Sequence, residues 1–227
     1  MNTSSLIVEG LGRNFWQGDK SLNVLKNINA EFIQGKSYAI VGVSGSGKST
    51  LMHLLGGLDV PTCGKVLFNE QNIFKLKQAQ KNNFLNKKLG FIFQFHYLVK
   101  ELTVLENIIL MGLINDEDKQ KSEERAIKLL QKVGLEDKIN QFPTQLSGGE
   151  QQRVSVLRAI FNKPAFLLAD EPTGDLDAVN AQGIVNLLLD YQRGWNTGLI
   201  LCSHDVQVYN KMEHIFRLQD GVLVQEK

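Results

Sequence analysis

The sequence predicts an α/β fold built on a parallel sheet, and three observations carry that prediction. "KSYAIVG" (36–42) and "AFLLAD" (165–170) are short, unbroken apolar runs, the pattern of strands covered on both faces. A helical pattern over Ser49–Leu55 directly follows the strand at Tyr38–Val41. Strand, loop and helix then alternate, as a parallel sheet with crossover helices requires. The 227 residues, 43% hydrophobic and 22% charged, suffice for a substantial core and are expected to form one domain over 1–227.

Further elements follow in chain order. "GKVLFNEQNI" (64–73) reads as a strand. The Lys-rich stretch Lys75–Lys88, interrupted by Gln, Asn and Phe, reads as a solvated helix face. From about Phe95 to Ile160 no strand is evident, and the segment reads as a helical insertion. Within it, Ser122–Val133 sets Ala126, Ile127, Leu129, Leu130 and Val133 on one face and stops at Gly134. "HIFRLQDGVLVQ" (214–225) predicts a terminal hairpin turning at Asp220-Gly221.

Composition excludes several classes. A net charge of +1 gives no global field for nucleic acid or an anionic membrane. No apolar run approaches the roughly 18 residues of a membrane helix; the most hydrophobic stretch, Leu102–Ile114, is broken by Glu106 and Asn107. No basic segment leads into an apolar one at the start, so no signal peptide is expected. Any membrane role must come through a partner. Cys63 and Cys202 stand in no metal or redox spacing and are both expected to be small buried hydrophobes.

Three motifs carry chemistry. "GVSGSGKST", Gly42 to Thr50, fits the phosphate loop G-x-x-x-x-G-K-[ST]. Gly42, Gly45 and Gly47 let backbone N–H groups, with those of Ser44 and Ser46, converge on an anion, and the following helix adds the positive end of its dipole. Lys48 reaches the terminal phosphates, and the Ser49 hydroxyl suits Mg²⁺. "FLLADEP" (166–172) is a buried strand ending in two carboxylates. Asp170 suits a water-mediated Mg²⁺ position, and Glu171 suits activation of an attacking water. "LSGGEQQRVSVLRA" (146–159) reads as a second anion-binding helix start, but without a lysine or metal ligands of its own.

In this order, the phosphate loop, "LSGGEQQR" and "LLADEPTGDLD" resemble the ATP-binding subunits of ABC transporters over essentially the whole chain. The resemblance implies a P-loop NTPase (RecA-like) core of the ABC-ATPase type. A helical subdomain, about 95–160, would be inserted in that core, with an antiparallel β region at the N-terminus. It implies an ATPase with ATP and Mg²⁺, working as two copies paired head-to-tail. Ser147, Gly148 and Gly149 of one copy would then touch the γ-phosphate held by the phosphate loop of the other.

The same resemblance assigns further positions. Gln94 matches the glutamine linking Mg²⁺ and the attacking water to the transmembrane partner. Asp177 matches the aspartate that crosses the dimer interface, and His204 the histidine contacting the γ-phosphate. Phe15 matches the aromatic that stacks on adenine, although the usual residue is Tyr. Trp16 is adjacent, and neighbouring strand residues point opposite ways, so only one of the two can stack. The chain departs from the family pattern at Asp175, which adds negative charge near the interface, and at Ser203, where Thr is commoner.

"LGFIFQFHYLVKELTVLENI" (89–108) resembles the ATPases of lipoprotein-releasing systems, and "EPTGDLD" a wider group with macrolide-efflux and cell-division ATPases. Phe95, His96, Tyr97 and Leu98 suggest a groove receiving a helix of a transmembrane permease; packing of the helical insertion on the sheet is the competing reading. The implied location is the cytoplasmic face of the bacterial inner membrane, bound through partners. An exporter, a regulatory ATPase moving a membrane partner without cargo, and a non-transport ATPase on nucleic acid or ribosomes remain as alternatives. The near-zero net charge disfavours the last.

Overall fold

The computed structural model describes residues 3–18 and 20–226. The chain opens with two long strands, β1 (Ser5–Gln17) and β2 (Lys20–Ile33), followed by β3 (Ser37–Val41) and helix α1 (Lys48–Leu55). Next come β4 (Cys63–Phe68), β5 (Gln71–Asn72), α2 (Gln78–Lys88) and β6 (Leu89–Ile92). Helices α3 (Val104–Leu113), α4 (Lys119–Lys132) and α5 (Gly148–Ile160) precede β7 (Phe166–Asp170). The rest is α6 (Ala178–Trp195), β8 (Gly198–Cys202), α7 (Val206–Tyr209), β9 (His214–Gln219) and β10 (Val222–Gln225).

Two sheets result. β2-β1-β4-β5 form an antiparallel sheet, and β10-β9-β3-β8-β7-β6 a second sheet in which all but β10 run parallel. β3, β7 and β8 are buried at every position because both faces are covered. Alternation along them divides the core. Ala39, Val41, Leu167, Ala169, Leu199 and Leu201 face the side packed with α3, α4, α5 and α6. Tyr38, Ile40, Phe166, Leu168, Ile200 and Cys202 face α1 and the antiparallel sheet.

α2 is the solvated helix foreseen in the Lys-rich stretch, with Phe84 its one buried residue. Between β6 and β7 the described residues hold three α-helices, two single 3-10 turns and no strand. α4 buries Ser122, Ala126, Leu129 and Leu130, leaves Ile127 and Val133 half-buried, and is followed by left-handed Gly134 (φ 66°). The terminal hairpin turns at Asp220 (φ 51°) and Gly221 (φ 80°), and two consecutive positive φ values match the twist of a tight hairpin.

The stretch 64–73 is not one strand but β4 and β5, turned back at Asn69 (φ 47°) and Glu70 (φ 70°), and two further points depart from the sequence reading. β6 escapes the sequence reading because it runs straight on from α2 with no turn signal and carries Gly90. That glycine is required: a Cβ there would lie 2.4 Å from the Ala159 carbonyl oxygen of α5. Cys202 is buried but Cys63 is exposed, because it opens β4 at the sheet rim opposite Gly12. Among the described residues no helix is long and apolar enough to cross a membrane.

Candidate nucleotide-binding site

The motif residues gather at the C-terminal ends of β3, β7 and β8, where loops leave a parallel sheet and ligands of such folds sit. The loop from β3 reaches α1 through Gly45 (φ 76°) and Gly47 (φ 103°), which a side-chain-bearing residue adopts only with strain. Gly47 is also pressed from outside, since a Cβ would meet Val24 Cγ1 at 2.8 Å. It starts α1 with no side-chain cap, so the first N–H groups of the helix stay open to a ligand. Gly42 is fixed by the Leu218 carbonyl oxygen, 2.5 Å from where its Cβ would stand.

A cavity of about 630 Å³ brings Ser44, Gly45, Gly47, Lys48, Ser49 and Thr50 together with Gln94, Glu171 and His204. Gly42 and Ser46 line an adjacent hollow on the other side of the loop. Lys48 is 8% exposed; its Nζ donates to the carbonyl oxygens of Gly42 (3.0 Å) and Val43 (3.2 Å) and lies 3.7 Å from Glu171 Oε1. His204 Nδ1 is 3.1 Å from Glu171 Oε2. Glu171 thus stands between a cation and an imidazole, on a backbone with φ 46°, a value uncommon outside glycine.

Asp170 points to the opposite side of β7's end. Burial pushes its carboxyl above the usual range, opposed by a hydrogen bond from Ser49. Its buried Oδ1 has no protein hydrogen-bond partner. A desolvated carboxylate with an unsatisfied oxygen beside a hydroxyl is a donor set that fits a hard divalent cation.

Gln94 is turned toward Asp175, its Nε2 lying 3.4 Å from each carboxylate oxygen. Asp175 therefore engages a motif residue of its own chain.

The second anion-binding helix start lies outside this cavity. Ser147 caps α5: its hydroxyl accepts from the Glu150 N–H and donates to Glu150 Oε2 (2.8 Å), which also accepts from the Ser147 N–H (2.8 Å). Ser147 and Gly148 are exposed. Gly149 is buried against α6, where a Cβ would meet Asn180 Oδ1 at 2.5 Å. Asp177 caps α6 through the N–H groups of Val179 and Asn180, and hydrogen bonds from Asn180 hold its carboxyl below the usual range.

Phe15 and Trp16 are both exposed, at 40% and 73%. Phe15 pairs with Leu22 and Trp16 with Ser21, so the two rings leave the ribbon on opposite faces, next to a β-bulge at the cavity-lining Val24. The Arg13 guanidinium stacks 4.5 Å over the Phe15 ring.

The stretch Phe95–Leu98 divides. Phe95 and Tyr97 expose their rings, at 63% and 64%, along a shallow groove shared with Pro143 and Thr144, whereas Leu98 packs on the core. His96 Nδ1 lies 2.6 Å from Gln152 Oε1. Gln152 and Arg158, both on α5, were not singled out by motif. A signal existed for Gln152: a glutamine four residues before Val156 is polar on the helix's apolar face.

Comparison with known proteins agrees with this geometry. The family model described as ABC transporter matches residues 25–174. The ATP-binding cassette MJ0796, described as a bacterial ABC transporter cassette and solved as a dimer, superposes with a TM-score of 0.91. It is 33% identical, covering 98% of this chain and 98% of that one. The same cassette in a post-hydrolysis state bound to ADP and Pi gives the same TM-score of 0.91 and 33% identity. With the phosphate loop, the strand-end carboxylates and the "LSGGE" helix start all in place, the chain belongs to the ABC transporter family as an ATP-hydrolysing cassette.

Proposed function

We propose that this cassette powers release of lipoproteins from the bacterial inner membrane, closing on ATP as a head-to-tail pair and reopening after hydrolysis. The observation that carries the paired reading is the separation of the two anion-binding helix starts. The cavity is lined by the phosphate loop, Gln94, Glu171 and His204, while Ser147 and Gly148 lie exposed elsewhere, with Gly149 buried beside them against α6. A second copy supplies what each site lacks, and MJ0796 has been solved as a dimer.

In this reading the triphosphate lies along the open N–H groups of Gly45–Thr50, with Lys48 on its terminal phosphates. Phe15 stacks on the adenine. Ser147 and Gly149 of the other copy close over the γ-phosphate, with Asp177 crossing beside them. Glu171 takes the proton of the attacking water, and Lys48 and His204 oppose the growing negative charge. Ser49, Asp170 and Gln94 would hold Mg²⁺, which neutralises charge on the phosphate oxygens. Loss of the γ-phosphate removes the anion joining the two copies, and the pair opens.

The membrane partner is a permease helix seated on Phe95 and Tyr97, whose exposed rings would bury apolar surface there. The lipoprotein cargo is supported by the likeness of residues 89–108 to lipoprotein-releasing ATPases. The test is a Tyr97→Glu variant in the full complex isolated from membranes. Release of lipoproteins from vesicles is expected to fall about tenfold or more, because a buried unpaired charge opposes docking. Normal release would refute the docking site. An unaltered complex that hydrolyses ATP but releases no lipoprotein would refute the cargo and favour an exporter or a regulatory ATPase.

A further inference from the structure

We infer that Gln152 is a positioning residue for Glu171, itself oriented by His96, so that the docking loop sets the geometry of the hydrolytic carboxylate. The inference rests on the reading of Glu171 as the base. Gln152 is 1% exposed, and its amide joins α5 to two loops, one after β6 and one after β7. Nε2 donates to the carbonyl oxygens of Pro172 (2.7 Å) and Phe93 (3.3 Å), and Oε1 faces His96 Nδ1 (2.6 Å). Two carbonyls can only accept, so the NH₂ group must face them and Oε1 must accept from the ring. His96 is thereby fixed with its proton on Nδ1.

Glu171 needs such support. Its φ of 46° is an unfavourable conformation that persists only where the surroundings over-determine it. Backbone bonds hold either side: the Glu171 N–H donates to the Cys202 carbonyl (3.1 Å), and the Gly174 N–H to the Glu171 carbonyl (3.1 Å). Pro172 has no N–H, so its carbonyl is the remaining backbone handle beside Glu171, and Gln152 takes it.

The same helix grips the docking loop. Arg158 donates to the carbonyl oxygens of Tyr97 (2.7 Å) and His96 (2.9 Å), and Tyr97 is also left-handed (φ 46°). α5 therefore ties two strained turns together, one presenting Phe95 and Tyr97 outward, the other presenting Glu171 inward. A movement of His96 on docking has a short path to Glu171, through one amide and one carbonyl.

The experiment measures kcat and KM for Mg-ATP hydrolysis by the full chain in three variants. Gln152→Met, similar in length but without donors, is expected to lower kcat about tenfold while KM stays within about twofold. His96→Leu should lower kcat about threefold, and His96→Asn, whose Nδ2 can stand where the ring Nδ1 does, should recover most of that loss. A residue that merely supports the fold would move KM and thermal stability along with kcat, and Asn would do no better than Leu. A folded Gln152→Met enzyme with parental kcat overturns the inference. If Gln152→Met does not fold, equal kcat in the two His96 variants overturns it instead. Glu171→Gln measured alongside separates the two claims: its retained activity refutes Glu171 as the base, whereas an inactive Glu171→Gln beside an active Gln152→Met refutes the positioning alone.

Discussion

Two helices begin on glycine-flanked turns of the kind that bind phosphate, and they are finished in opposite ways. α1 starts at left-handed Gly47 with no side-chain cap and a buried lysine as its first residue. α5 starts at Ser147 with its cap closed in both directions by Glu150. An uncapped start leaves all its N–H groups seeking a partner, while the capping box of α5 occupies those of Ser147 and Glu150 and leaves only those of Gly148 and Gly149 to a ligand. The nearest side-chain charge is a cation in the first case and a carboxylate in the second. A helix dipole alone therefore does not make a capture site; open donors and a cation do. The start of α5 suits contact with a phosphate already held by another chain.

Breaking each start should separate these roles, and this is the largest effect expected. Lys48→Ala should weaken ATP binding about 100-fold, as removal of a charged partner from a buried phosphate contact does. Ser147→Arg should leave ATP binding by the single chain within about threefold and yet stop hydrolysis, because its lesion lies on the closing surface. Equimolar mixing of the two variants should give activity above either alone, since both lesions can fall in one composite site and leave the other intact. Equal loss of single-chain ATP binding in both variants would break the comparison.

The contrast also explains what was legible in the sequence. The phosphate loop is local: its glycines, lysine and following helix are contiguous, and the core strands β3, β7 and β8 are marked by unbroken apolar runs. The head-to-tail arrangement is not local; it rests on family resemblance, and the cap on α5 shows only that two donors of this start are satisfied within the chain. β6 stayed hidden because Gly90 answers a backbone contact with α5 rather than a turn. Gln152 stayed hidden for a related reason. Its partners, Phe93, His96 and Pro172, are 59, 56 and 20 residues away, and no spacing rule reaches them. Asp175 read as a departure near an interface; in the fold it meets Gln94, 81 residues distant.

A smaller effect sharpens the comparison at α5. Ser147→Ala removes an N-cap side chain, worth about 1 kcal/mol in typical helices. In a chain of this size that should lower the thermal midpoint about 2–4 °C. ATP binding by the single chain should not change, because the start of α5 faces away from its own cavity. A midpoint shift accompanied by weaker binding would join the two helix starts after all.

The smallest effect is the pH dependence of that same cap. The Ser147 N–H, and then its hydroxyl, hold the Glu150 carboxyl below the usual range. A depressed folded-state value means that the stabilisation is fully present above the unfolded-state value, near 4.5, and is lost as pH falls through the folded-state value. Glu150→Gln keeps the reach of the side chain but cannot ionise. The parent should therefore melt above this variant near neutral pH, by about 1 °C for so exposed a group. The gap should shrink on acidification below about pH 4.5. Taking the difference between the two proteins matters, because Glu106 and Asp177, which cap α3 and α6, are depressed in the same direction and lower the stability of both at acid pH. Added salt should narrow the gap at pH 7, since the charge lies near the surface. A gap that widens on acidification would mean that the carboxylate opposes the helix start, and the closed cap of α5 would no longer distinguish it from the open start of α1.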